Sequence, residues 1–323
     1  MNKESYRQRN VWFYRNYQGQ TGGHIKFSQY LGHVTSSANW QPRFVLSEDS
    51  QQDLFWSEHE SHCVERWRVE KGDVVFVAGM DWVYFDFCDV PSAVPVINLI
   101  QGLRHADPEQ ILFQYLSRDA IRICVSEEVK AAVEVTERIN GPIFALNNGI
   151  KAVSSIELVE KQQLCTPIQN QRWLLVGIKN PVLASQVSSY LVSLGIQVEL
   201  LIEPVSQPLF LNKLGRAGVV VCFPLSEEGF YLPALEAMAR YCLVMCPDCV
   251  GNRSFCHESS ALIPEHNIEG YISSINKLVV MPEDEISAIR SRAFDMSKRY
   301  TLENERERFL AILDDAYRLW LRV

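Results

Sequence analysis

The chain has 323 residues, of which 47% are hydrophobic and 22% charged, with a formal net charge of −8. That length exceeds one ordinary core and suits two domains of about 150 residues each, and the composition excludes a disordered or fibrous chain. The acidic balance argues against nucleic acid as a partner, because binders of its backbone normally carry a basic excess that displaces counterions.

No stretch approaches the ~20 continuous apolar residues that span a bilayer. The N-terminal MNKESYRQRN has no apolar run of signal-peptide type, and nine scattered cysteines suit a reduced protein with its own core rather than a disulfide framework. A cytoplasmic protein is therefore expected.

In chain order, strands are expected at Val11–Tyr14, Arg43–Leu46, Val74–Ala78, Val94–Ile100 and Ile121–Val125, with a Gly-bearing loop at Asn16–Gly23 and a helix over His24–Val34. Runs of Val, Ile and Phe bounded by turn residues fit strands buried on both faces of a parallel sheet. Ser126 reads as an N-cap followed by acidic residues in the first helical turn. NNGIKAVSS (Asn147–Ser155) loses periodicity and marks the hinge. Beyond it come a strand at Trp173–Val176, a helix over Val182–Leu194 ended by Gly195, and a strand at Val198–Ile202. A short helix at Phe210–Arg216 and a strand at Val219–Phe223 follow. Helices are expected over Leu232–Tyr241, Ile268–Val279 and Asp284–Arg299, with a closing amphipathic helix over Leu302–Leu321. Two successive βα arrays predict an α/β chain of two doubly wound domains facing across a cleft, residues 1–152 and 153–303. Residues 304–323 form a helix returning to the first domain. Ligands are expected at the carboxyl ends of the strands.

The segment VVVCFPLSEEGFYLPALEAMARYCLVMCPDCVGN (Val219–Asn252) carries the functional reading. A buried strand ends at Pro224, a polar loop follows, and a helix opens near Leu232 and Pro233, where proline's missing N–H costs nothing. Free amides and the positive end of the helix dipole then face the strand's carboxyl end, which suits a phosphate. Glu228 precedes those amides and Glu236 lies one turn inside. Two carboxylates beside an anion site make poor phosphate ligands but good acceptors for sugar hydroxyls.

Glu228, seven residues and Glu236, within SEEGFYLPALEAMA, resemble the E-x7-E signature of retaining glycosyltransferases with the GT-B fold of two Rossmann-like domains. LNKLGRAGVVVCFPLSEEGF, the Asp248 to Arg253 loop, ESSALIPEHNIEGYISSINKLV and SKRYTLENERERFLAIL extend the resemblance from about Trp173 onwards. The first half is similar in pattern alone, through Thr21, Gly22 and Gly23, IQGLRHA, VSEEV and NNGI. The resemblance implies that Glu236 holds the nucleotide ribose and Glu228 the transferred sugar. Gly229, Phe230, Tyr231 and Leu232 would line the donor site, with the 230–232 amides facing the diphosphate and sugar. Gly22 and Gly23 would close over the phosphates from the other domain.

Three departures stand out. Tyr231 replaces a usual glycine and is expected to narrow the pocket. In VGIKNPVLASQ Lys179 is the only base where the family has Arg and then Lys on the diphosphate. Gln101 stands where the family often has His, with Arg104 and His105 as substitutes. The expected chemistry is transfer, with anomeric retention, of a hexose-type sugar from a nucleotide-diphosphate sugar to a glycan or lipid-linked acceptor. The catalytic set is Glu228, Gln101 and His105, and no cofactor or metal is required. The alternatives are a non-catalytic partner subunit of this fold, or another two-Rossmann enzyme such as a phosphorylase or epimerase.

Other motifs are weaker. Cys242, Cys246, Cys249, Cys256 and His257 invite a zinc reading, but they fall around a buried strand and are read as packing groups. His59, His62 and Cys63 are read as surface. The aromatics from Trp82 to Phe87 are read mainly as packing, with stacking on an acceptor sugar as the lesser reading. Arg306, Arg308, Arg318, Arg322 and Trp320 could touch anionic lipid at the inner face of the membrane, and a helix packed on the first domain explains them equally well.

Overall fold

The computed structural model describes residues 9–51, 54–153 and 167–323. Ser154 and Ser155, at the end of the expected hinge, lie outside the described residues, as does most of the N-terminal decapeptide. The chain divides into two compact units, Met1–Asn147 with Glu305–Val323, and Asn148–Asn304.

The first unit is a six-stranded, all-parallel sheet in the order β2-β1-β3-β4-β5-β6. Its strands are β1 (Arg9–Arg15), β2 (Trp40–Leu46), β3 (Val74–Ala78), β4 (Val96–Ile100), β5 (Ile121–Cys124) and β6 (Ile143–Ala145). Its helices include α1 (Gly22–Thr35), α2 (Asp81–Phe85) and α3 (Glu127–Glu134), the last capped by Ser126 Oγ on the Val129 amide at 3.1 Å. Both faces are buried because alternate side chains serve opposite layers. Phe13 and Phe76 pack with Phe27 on one side, while Trp12, Val75 and Val77 join Trp82 and Tyr115 in a separate cluster.

Arg122 is fully buried in β5 and donates to the carbonyls of Tyr115, Leu116, Arg118, Ala120 and Asn140 at 2.6–3.1 Å. A buried guanidinium needs such partners, since an unsatisfied one carries a large desolvation cost. The result pins the 3-10 turn Ile111–Ser117 against the sheet.

The closing segment is two helices, α9 (Leu302–Asp314) and α10 (Ala316–Trp320), rather than one continuous run. Phe309, Leu313, Ala316 and Leu319 are buried, and Lys26 of α1 donates to Glu305 at 2.6 Å with both side chains inaccessible. Arg308 donates to Ala145 O, and Arg318 is occupied by Asp315. Among the described residues no helix is long and apolar enough to cross a membrane.

The second unit carries β7 (Trp173–Val176), α4 (Pro181–Ser193), β8 (Val198–Leu201), α5 (Gln207–Arg216), β9 (Val219–Cys222), α6 (Leu232–Met238), β10 (Leu243–Met245), α7 (Ile268–Val279) and α8 (Glu283–Ser297). The four strands are parallel, in the order β10-β9-β7-β8. Asn180 caps α4 on the Leu183 amide, and Pro181 occupies the first turn. A Cβ at Gly177 would lie 2.3 Å from the Ala184 methyl, so only glycine allows helix and strand this approach. α6 stops at Met238, earlier than the expected Tyr241, which sits at φ 58° and reverses the chain into β10.

Candidate functional site

In the second sheet, β7 leads outward to β8 on one side while β9 leads to β10 on the other. The crevice between β7 and β9 is the point where connections diverge, and open α/β sheets bind ligands outside the strand ends at such a point. Lys179 follows β7 in a turn closed by Asn180 N–H on Gly177 O at 3.1 Å. Glu228 lies in the loop after β9. Their side chains meet at 3.5 Å, Lys179 being 51% and Glu228 19% exposed. The oxygen that faces Lys179, Glu228 Oε1, is itself shielded from solvent.

The loop bearing Glu228 is held by backbone contacts. Val250 N–H donates to Ser226 O at 3.0 Å and Tyr231 N–H to Gly251 O at 2.9 Å. A Cβ on Gly251 would stand 2.7 Å from both Glu228 O and Phe230 N, so the following loop can lie against the Glu228 loop only with glycine there. Glu236 is placed inside α6 and is only 6% exposed. Glutamate is almost never so buried without a role or partner, and this is a sequence-predicted residue.

Other expectations for this loop change. The Tyr231 amide is engaged by Gly251, and the Leu232 amide donates to Phe230 O at 3.2 Å, so a diphosphate using them would have to displace or share those bonds. The Tyr231 ring does not narrow the crevice. It is 3% exposed, packs in the core with Cys222 and Cys246, and burial pushes its phenol pKa upward. Phe230 turns toward Phe255 and Tyr300, with ring centroids at 5.4 and 6.0 Å, and Gly229 is buried beside it. Cys242, Cys246, Cys249 and Cys256 are free thiols filling the core. Among the described residues no group of three His, Cys, Asp or Glu is arranged to hold a metal.

In the first unit, the expected residues gather around the end of β4. Gln101 donates from Nε2 to Gly23 O at 3.2 Å, and its Oε1 would be 3.2 Å from a Cβ at Gly23. Gly22 and Gly23 lie in the first turn of α1, which starts two residues earlier than the helix expected from His24. Thr21 caps that turn on the His24 amide at 3.3 Å. His105 is 6% exposed, its Nδ1–H donating to Gly102 O at 3.1 Å. Burial holds its pKa down to about 4, outweighing that hydrogen bond. The ring is therefore neutral at neutral pH and a weak base, and its interior placement does not suit the catalytic role expected of it. His59, expected at the surface, is 5% exposed and bonded to Ser28 Oγ at 2.8 Å.

Two features are not legible in the sequence. The close approach at Gly251 depends on a backbone more than twenty residues away. The Arg15–Asp81 pair joins the end of β1 to the start of α2 at 3.2 Å, and no local pattern announces it.

No family model and no curated protein matches the chain. Solved structures do. The sucrose-phosphate synthase of Thermosynechococcus elongatus aligns with a TM-score of 0.68 at 11% identity, over 95% of this chain and 98% of that one. A glycosyltransferase from Rickettsia africae ESF-5 aligns with a TM-score of 0.67 at 13% identity, over 98% and 100%. HepE of Anabaena, solved with UDP-glucose, aligns with a TM-score of 0.66 at 12% identity, over 95% and 99%. At such identities the likeness speaks to architecture, and the chain has the GT-B fold of two parallel-sheet α/β domains.

Proposed function

We propose that this chain is a glycosyltransferase that takes its sugar from a nucleotide-diphosphate donor held by the second unit. The observation that carries the reading is the meeting of Lys179 and Glu228 at the β7/β9 crevice. Lys179 supplies the positive charge that a leaving diphosphate requires. The half-buried Glu228 offers its carboxylate as an acceptor for a sugar hydroxyl. Glu236 is assigned the ribose hydroxyls, as the E-x7-E resemblance implies. The binding of UDP-glucose by HepE, which shares the fold, supports a uridine nucleotide as the first donor to try.

Retention at the anomeric carbon rests on the signature resemblance. In that account the diphosphate leaves, the acceptor hydroxyl attacks from the same face, and a leaving-group oxygen takes its proton. Gln101, bonded to Gly23 O, positions the first turn of α1 rather than moving a proton. The acceptor is proposed to be a glycan or lipid-linked sugar, and a peripheral membrane position would follow from the latter.

The test is thermal unfolding with nucleoside diphosphates and nucleotide sugars, since a ligand that binds only the folded state raises the midpoint. A rise with one base, lost in Glu236→Ala, supports the donor site. The anomeric configuration of a transferred sugar, read by NMR, then decides retention. No rise at millimolar ligand would remove the donor site and favour the non-catalytic partner reading.

A further inference from the structure

Glu228 sits in a loop, residues 223–231, that has no helix or strand of its own to fix it. What fixes it is the turn that follows β10. Val250 N–H reaches Ser226 O at 3.0 Å, and Gly251 O takes the Tyr231 N–H at 2.9 Å, so the turn grips the loop on both sides of Glu228. A loop held by two such bonds is placed only as well as the turn that makes them.

That turn is wound around one side chain. Asn252 is 1% exposed and closes the 3-10 turn Val250–Asn252. Its Oδ1 accepts the Cys249 N–H at 3.0 Å, while Nδ2 donates to Pro247 O at 2.8 Å and to Cys246 Sγ at 3.2 Å. Its backbone carbonyl accepts the Phe255 and Cys256 amides at 3.0 and 2.7 Å. The side chain thus ties the end of β10 to the turn, and the main chain ties the turn to the segment after it. A primary amide suits this place because it accepts and donates at once, whereas an ionised carboxylate of the same size only accepts.

The other ties on the turn lie at the surface. Arg253 pairs with Asp248 at 2.7 Å, both side chains being about half exposed, and His266 Nε2 stands 2.6 Å from Asp248 O in an exposed position. Exposed pairs of this kind contribute little, whereas a buried polar network with its members partnered specifies one arrangement. We propose that Asn252 is a positioning residue for Glu228: through the turn and its two amide bonds it sets where the carboxylate stands against Lys179. Buried as it is, Asn252 acts through the backbone and not on a substrate. That the placement serves a donor sugar rests on the glycosyl-transfer reading, whereas the placement itself does not.

Two variants of the full chain test it. Asn252→Asp keeps the size and the acceptor for Cys249 but loses both donors. Asn252→Ala loses all three side-chain bonds and brings no buried charge, so poor folding of one variant leaves the other to be read. Hydrogen exchange reports the placement: in either variant the Val250 and Tyr231 amides should exchange about tenfold faster while α4 keeps its protection. Unchanged exchange overturns the proposal, as does a loss of protection that extends to α4. Sugar transfer reports the consequence, with kcat about 10–100-fold lower and KM for the donor within about twofold of wild type. In a Glu228→Gln background, Asn252→Asp should change kcat by less than about twofold, because the carboxylate that it places is gone. Full additivity of the two losses overturns the proposal, since a merely structural residue acts on any background. If Glu228→Gln transfers sugar as the wild type does, or the wild type transfers none, the donor reading falls by itself and exchange still decides the placement.

Discussion

Between β1 and β3 of the first unit, Arg15 and Asp81 are 9% and 3% exposed and packed among aromatic rings. Between β7 and β9 of the second, Lys179 and Glu228 meet at 3.5 Å with side chains 51% and 19% exposed. Equivalent places in two doubly wound sheets thus hold an ion pair of different standing. A buried pair is costly to break, because either partner left alone is a desolvated charge. A pair open to water adds little to stability and leaves its groups available to a ligand. The first crevice is held by side chains. The second is held by backbone, through the Gly251 approach to Glu228 and Phe230.

The largest effect that would break this contrast is in the first unit. Asp81→Ala strands Arg15 in the interior and should cost about 3–5 kcal/mol of stability, measured by chemical denaturation. A loss below 1 kcal/mol would mean that the pair is no more structural than its counterpart.

The two units should also differ in acid. His105, in the first, has its pKa depressed to about 4 by burial. Below about pH 6.5 the unfolded chain takes a proton that the folded ring refuses, so the stability His105 contributes is fully present above that pH. It declines as pH falls toward 4. The loss is about 3 kcal/mol. Unfolding titrations of His105→Gln at pH 7 and pH 4.5 should show a smaller decline than wild type, and an unchanged decline would reject the assignment.

In the second unit, Glu228→Gln should lower transfer about 100-fold, or ~2.7 kcal/mol, while moving stability by less than about 1 kcal/mol. Equal transfer rates would remove Glu228 from the site. A last change sharpens the backbone half of the comparison. Gly251→Ala should cost about 1–3 kcal/mol of stability through overpacking, with nucleotide affinity weakened as the Glu228 loop shifts. If affinity holds while stability falls, the loop's position does not set the site.

The Val219–Cys222 strand, the Trp173–Val176 strand and the Ile268–Val279 helix are legible because short apolar runs and helical periodicity are local properties. Glu228 and Glu236 stand out for a related reason: two carboxylates with seven residues between them, across a loop and into a helix, are a spacing along the chain. β6 (Ile143–Ala145) is too short to carry a pattern and exists because β5 offers it an edge. His105 looked like a candidate base because sequence shows residue type and neighbourhood, whereas its weak basicity comes from burial beneath a turn.

The alternation of strand and helix, the helix caps at Ser126 and Asn180 and the Glu228–Glu236 spacing were determined by the chain itself, since each depends on residues within a few turns of one another. The inward turn of Tyr231, the pairing of Lys179 with Glu228 and that of Arg15 with Asp81 were decided only by tertiary structure. Each depends on which strands become neighbours. Burial and distance between separated segments are set by packing, and no local sequence pattern encodes them.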